Sequence, residues 1–264
     1  MKTTTAPTLE QHLARLIATP PGPVRSRLLQ RVQASARKHR DYLTLRREHH
    51  RWQPLLPGIR EHELRRDAWV RVCLWQVDAG RPIALPKDAE AAELLVVRGR
   101  LQGLGRRQGD SLAAESYLTL NSSDEPLPWQ AAELTLLYLR CRLRGAPPLP
   151  ELEAHWWQLA ARAGTPRQGR WVASGPGVQV MALCGDTTVV SMLVRFEPGG
   201  AVADHHHALD EDCLVLAGEM FLGDILLRDL DYQLAPAGGG HFGETSDVGV
   251  TFFFHGALDP VLLR

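Results

Sequence analysis

Short runs of apolar residues, cut at intervals by turn residues, dominate the chain from about residue 52 onward. VRVCLWQV (70–77) and TVVSMLVRF (188–196) are rich in β-branched and aromatic residues, and DAGRP, EPGG and APAGGG punctuate such runs. The pattern predicts many short strands without a long amphipathic helix between them, which is the signature of an all-β barrel or sandwich. Three segments read differently. Residues 8–19 (TLEQHLARLIAT) place Leu9, Leu13, Leu16 and Ile17 on one helical face, with Thr8 as N-cap and Gln11 three residues later. A second helix is expected to begin at Pro23, with Leu28, Leu29, Val32 and Ala36 as its apolar stripe. ELEAHWWQLAARAG (151–164) is the third helical stretch.

The strand-rich part repeats itself. At an offset of 119 residues Trp52 falls on Trp171, Gly58 on Gly177, Leu64 on Leu183, Asp67 on Asp186, Gly80 on Gly199 and Gly99 on Gly218. ELLVVRG (93–99) matches DCLVLAG (212–218) in character at every position, and after a drift of a few residues LTLLYL (134–139) resembles VTFFFH (250–255). The expected organisation is a helical arm at 1–41, a first barrel at 42–141, a partly helical linker at 142–168 and a second barrel at 169–264. The arm is expected to pack through Leu13, Leu16, Leu28 and Val32 on a barrel or on a second subunit.

Bulk composition narrows the setting. Apolar residues are 44% and charged residues 23% of the 264, and the formal net charge is zero, so nothing global draws the chain to nucleic acid or membrane. No apolar run is long enough to span a bilayer and no secretory signal is visible. The four cysteines (Cys73, Cys141, Cys184, Cys213) are scattered, which favours reduced thiols and a cytoplasmic setting. Residues 24–51 carry nine Lys or Arg against Asp41 and Glu48; this reads as a solvated helix face, with an acidic partner or nucleic acid as the sharper alternative.

The second copy alone carries concentrated chemistry. Gly199, His205, His207, Glu211 and Gly218 are spaced G-x5-H-x-H-x3-E-x6-G, and Pro236, Gly238 and His241 follow as P-x-G-x2-H. Residues two apart on a strand share a face, so His205 and His207 point together while His206 points away. Three imidazoles and a carboxylate suit Zn, Fe, Mn, Ni or Cu better than Ca or Mg, and leave one or two coordination positions open. In the first copy the same offset gives Pro86, Asp88 and Ala92, so that barrel is expected to hold no metal.

These two motifs resemble the signature motifs of the cupin superfamily. The resemblance implies a double-stranded β-helix (jelly-roll) fold, here as two tandem barrels, with a divalent metal on His205, His207, Glu211 and His241. Leu230 stands where that family usually has Gly, and Thr245 where Asn often occurs. WQPLLPGIREHELRRD (52–67) and PPGPVRSRLLQRV (20–32) look like the ChrR-type cupins, the sensor domains of anti-sigma factors. That narrower likeness implies a sigma factor as partner. The His-x3-Cys-x2-Cys zinc motif of those anti-sigma domains is absent, since no cysteine precedes Cys73.

The reading preferred on the sequence is a ChrR-like sensor or small-molecule-binding bicupin with one metal ion, zinc first, then Fe, Mn or Ni, assembled as a homodimer. The alternative is a metal-dependent dioxygenase acting on a small diketone-like or aromatic substrate. A third possibility is a metal that only staples the barrel. Tyr232, Glu244 and His255 are candidate acid–base groups by proximity alone. Asp204, Asp210 and Glu244 flank the ligands as possible acceptors for the imidazoles. Cys213 should share the inward face of Glu211, most simply as a small core hydrophobe.

Overall fold

The computed structural model describes residues 22–121, 127–163 and 169–259. The helix expected at 8–19 lies outside them. The chain divides into two units, Met1–Asp41 and Tyr42–Arg264. In the first, helix α1 (Pro23–Lys38) starts with proline just inside its N-terminus and ends on Arg37 and Lys38, each where the helix dipole and missing N–H groups favour it. Leu28 and Val32, expected to pack, are exposed, and α1 buries none of its residues.

The second unit opens with β1 (Leu43–Leu45) and then builds two groups of strands. The first comprises β2 (Gln53–Leu56), β3 (Ile59–Arg66), β4 (Val70–Val77), β5 (Ala89–Arg98), β6 (Arg100–Gly103), β7 (Ser111–Ala113), β8 (Tyr117–Asn121), β9 (Trp129–Ala131) and β10 (Thr135–Leu143). They form a six-stranded sheet in the order β2-β3-β4-β10-β5-β8 and a three-stranded sheet β7-β6-β9. Helix α2 (Glu151–Ala163) follows.

The second group comprises β11 (Val172–Gly175), β12 (Val178–Gly185), β13 (Val189–Phe196), β14 (Gly200–Val202), β15 (His205–His206), β16 (Glu211–Leu222), β17 (Ile225–Arg228), β18 (Tyr232–Ala235), β19 (Gly240–His241), β20 (Glu244–Ser246) and β21 (Val250–Ala257). Its main sheet runs β1-β18-β16-β21-β13-β12-β11. Thus β1, which the sequence grouped with the first barrel, hydrogen-bonds to β18 of the second, Leu43 opposite Leu234.

The register carries the duplication. Ile59 pairs with Val77 in the first barrel and Val178 with Phe196 in the second, each 119 residues on. The last strands differ: Leu139 pairs with Cys73 and Phe254 with Met192, which sets their offset at 115. The alignment of LTLLYL on VTFFFH is therefore one residue out, and a slip of one exchanges inward and outward faces. At the correct offset Tyr138 is equivalent to Phe253, and the two rings meet between the barrels with centroids 4.7 Å apart. Gly99 and Gly218, equivalent at 119, both have positive φ, and a Cβ on either would strike the backbone of the strand alongside.

Three apolar cores result. One fills the first barrel around Trp75, Leu94 and Leu139, one lines the second around Val194, Phe252 and Phe254, and one joins the barrels through Leu74, Tyr138, Leu193 and Phe253. Trp156 and Trp157 of α2 plug into the joint, which also buries a charged cluster. Arg65 of the first barrel grips Asp212 of the second through two hydrogen bonds (Nε to Oδ1 2.8 Å, Nη2 to Oδ2 2.9 Å). Reciprocally, Ser191 of the second barrel donates to Glu93 of the first at 2.7 Å. Glu93 and Asp212 are equivalent at offset 119, and each accepts from an equivalent tyrosine, Tyr117 and Tyr232.

Candidate metal centre

Two short strands make the site. Antiparallel pairing of β15 with β19 sets His205 opposite His241, and Gly240 allows it, because a Cβ there would lie 2.4 Å from the His205 carbonyl oxygen. His207 follows β15 and is held from both sides, its N–H donating to the Gly239 carbonyl and its own carbonyl accepting from Gly238 N. Glu211 begins β16. All four side chains of the expected set are buried, at 2–5% exposure.

Ligand atoms of His205, His207 and Glu211 lie within 4.8 Å of one another, the one such cluster of three or more among the described residues. His241 joins through Glu211, with Nε2 2.8 Å from Oε1. His207 Nε2 is 3.1 Å from Glu211 Oε2 but without hydrogen-bond geometry, so both of its ring nitrogens, like His241 Nδ1, are buried and unpartnered. Native interiors rarely leave polar atoms in that state. His205 Nδ1 donates to the Ala203 carbonyl at 3.0 Å, the bond that fixes a tautomer with Nε2 free to ligate. Two imidazoles and a carboxylate within reach of one point, a third imidazole against that carboxylate and orphaned nitrogens around them fit a divalent transition metal.

Electrostatics agree with neutral imidazoles facing a charged carboxylate. Burial lowers the pKa of His207 to about 4, reinforced by His241 and His205 and only partly opposed by Glu211. Burial works against the Glu211 carboxylate, yet His241 and the other imidazoles hold its pKa below the ordinary value. The His241 pKa is raised, because Glu211 outweighs the burial that would lower it.

Not every flanking residue takes the place expected of it. Asp204 and Asp210 accept backbone N–H groups of Gly243 and Ala237, not imidazole protons. Tyr232 and His255 face the joint between the barrels, where Tyr232 donates to Asp212 and His255 contacts Ser191. Cys213 packs in the apolar core of the second barrel, and burial pushes its thiol pKa well up, so it is inert at neutral pH. Glu244 alone of these candidates opens onto the cavity beside the metal ligands.

Tyr42 gave no signal in the sequence. Its hydroxyl donates to the Gly240 carbonyl (2.9 Å) and accepts from Gly240 N (2.8 Å), clamping the turn that presents His241. In the first barrel Asp88 accepts instead from Arg71 at 3.0 Å, and Arg71 also donates to Glu61 at 2.6 Å. Asp88, at the offset position of buried His207, is thus paired with a guanidinium and 45% exposed.

Residues 161–259 match the ChrR cupin-like domain family. Several solved structures share the architecture. A candidate dioxygenase of Nostoc punctiforme is 13% identical with a TM-score of 0.53, over 83% of this chain and 86% of that one. The formate complex of Lactobacillus farciminis oxalate decarboxylase is 13% identical with a TM-score of 0.55, over 82% and 88%. Bacillus subtilis oxalate decarboxylase, studied for its Mn(II) centres, is 16% identical with a TM-score of 0.52, over 82% and 77%. No curated protein matched by sequence. Fold and motifs agree: the chain has the cupin fold of these solved structures. More narrowly, it has the two-barrel form of that fold, and its second barrel matches the ChrR cupin-like domain.

Proposed function

We propose that this chain is a metal-bearing, small-molecule-binding bicupin. His205, His207, Glu211 and His241 hold one divalent transition metal in the second barrel, with zinc the first choice and Fe, Mn or Ni the alternatives. The observation that carries the reading is the meeting of that cluster with a cavity of about 320 Å3, for His205 and Glu211 form part of its wall. A metal that only stapled the barrel would need no such space, and an ion held in five or six coordination keeps a position open beyond these four ligands. The match to the ChrR cupin-like domain supports a sensing role, in which ligand occupancy reads out through the metal.

One observation favours a second reading. The cavity is mostly apolar and has a single further carboxyl, Glu244, beside the metal ligands, the arrangement of an enzyme pocket in which one polar group orients a bound molecule. A bound metal would then supply Lewis acidity or redox chemistry, while this chain's residues bind and orient the substrate and exclude water. The test is oxygen uptake by metal-loaded protein with a panel of small diketones and phenols. Uptake dependent on His207 supports the dioxygenase; binding without uptake supports the sensor.

A further inference from the structure

The two barrels are copies of one another, so their interiors can be compared position by position. Val194 of β13 lies 119 residues beyond Trp75 of β4, and the register of the two strands agrees: Trp75 pairs with Leu137, and Val194 with the equivalent Phe252. Trp75 is fully buried in the packed core of the first barrel. In the second barrel the indole is replaced by a valine, and Val180 and Met192 stand where the first has Glu61 and Cys73. The volume left behind is the cavity, walled by Val178, Val180, Met192, Val194, Phe252 and Phe254. None of its lining residues is a lysine or arginine.

Glu244 is the group this wall leaves unexplained. It is 6% exposed and lines the cavity alongside His205 and Glu211. Its backbone is fixed by pairing with Val202 and Leu222, so the side chain is committed to this face. Among the described residues the carboxyl makes no hydrogen bond or ion pair. A buried carboxyl without a partner is costly, and a ligand that supplies a donor removes that cost.

From these observations we infer that the cavity takes a small uncharged molecule with an apolar body and one hydroxyl donor that reaches Glu244, and that it rejects dicarboxylates. The inference rests on the function proposed above and names its ligand class. A carboxyl oxygen accepts from a hydroxyl, and the apolar wall rewards a hydrocarbon or aromatic body. Oxalate, after which several structural neighbours are named, meets the opposite conditions here. No guanidinium or ammonium lines the space to receive its second charge, and Glu211 and Glu244 already set two carboxyl groups beside a divalent ion.

Phenol and oxalate are the probes, titrated calorimetrically into the full chain as purified with its metal and again after EDTA treatment. Phenol is expected to bind, and oxalate to bind at least tenfold more weakly. Val194→Trp, which restores the indole of the first barrel, should weaken phenol at least tenfold and leave metal content unchanged. Glu244→Val should also weaken phenol at least tenfold, while Glu244→Gln, which keeps an acceptor, stays within threefold. Oxalate binding as tightly as phenol overturns the inference, as does phenol binding that is indifferent to Glu244→Val; both read-outs hold even if Val194→Trp does not fold. Loss of the metal reading looks different: no metal is found by elemental analysis, yet phenol binding keeps its dependence on Glu244.

Discussion

Glu211 and Asp212 are neighbours on β16, and their side chains leave opposite faces of the sheet. Glu211 meets the three histidines, while Asp212 is gripped by Arg65 of the other barrel through two hydrogen bonds and approached by Arg140 at 3.4 Å. The strand that presents Glu211 to the histidines is therefore anchored across the joint between the barrels. The first barrel, with no histidine cluster of its own among the described residues, acts as the support against which the second is held.

Breaking that anchor leaves a buried carboxylate without its partner. Arg65→Met should cost about 3–5 kcal/mol of stability, read from urea denaturation, because buried Asp212 loses both hydrogen bonds from Arg65 and keeps only Tyr232 and the more distant Arg140. Arg65→Met combined with Asp212→Leu should recover most of the loss. A double variant as unstable as the single would show that the ion pair is not the source of the cost.

Acid should loosen the same joint. Burial alone would raise the pKa of Glu153 on α2, but Arg140 and His255 outweigh it and hold the carboxyl well below the usual range. An unfolded glutamate titrates near 4.3, so the unfolded chain takes up the proton first as pH falls. The stabilisation is complete above about pH 5 and is lost progressively below that toward the folded pKa. Wild-type Tm should drop between pH 5 and pH 3, and Glu153→Gln, less stable at pH 7, should drop less steeply over that interval. Equal slopes would remove Glu153 from the account.

Two left-handed residues make a paired test of strain. Leu230 and Glu115 are equivalent at offset 115, have φ of 64° and 69°, and make the same turn bond, to Val215 and Val96. The left-handed conformation costs a non-glycine residue about 1–2 kcal/mol. Glu115 is half-buried and its ion pair with Arg195, at 3.5 Å, is largely solvated, so Glu115→Gly should stabilise by about 0.5 kcal/mol, the relief less the entropy of glycine. Leu230 is buried in the joint, so Leu230→Gly should destabilise despite the same relief. Thermal unfolding of the pair checks the opposite signs.

The turn that carries His241 should depend on Tyr42. Tyr42→Phe removes both hydrogen bonds to Gly240 while keeping the ring, 6.0 Å from His241 by centroids. Metal affinity should fall roughly tenfold or more, the usual effect of losing a group that orients a ligand. Competition with a chromogenic chelator measures it, and unchanged affinity would make the tyrosine a packing residue only.

The duplication and the clustering of His205, His207, Glu211 and His241 were legible because both are local patterns. A two-residue spacing fixes which histidines share a face, and the ungapped offset of 119 fixes equivalent strands. The offset of the last strands, 115, was hidden by unequal loops, and with it the fact that Tyr138 answers to Phe253. No local pattern singled out Asp212 or Glu93, because only the packing of one barrel on the other buries them. Glu244 was named only for its nearness in sequence and Tyr42 not at all, for the same reason: what makes them notable is a cavity wall and a turn 198 residues away.

The most direct test of the account is the metal stoichiometry of the full chain, purified without a chelating resin and measured by elemental analysis. One ion per chain is expected in the wild type and in Asp88→Ala, since Asp88 pairs with Arg71 in the first barrel. The ion should be weakly held in His207→Ala and absent in the His205→Ala, His207→Ala double variant. Two ions per chain, or one that survives in the double variant, would contradict the site proposed on His205, His207, Glu211 and His241.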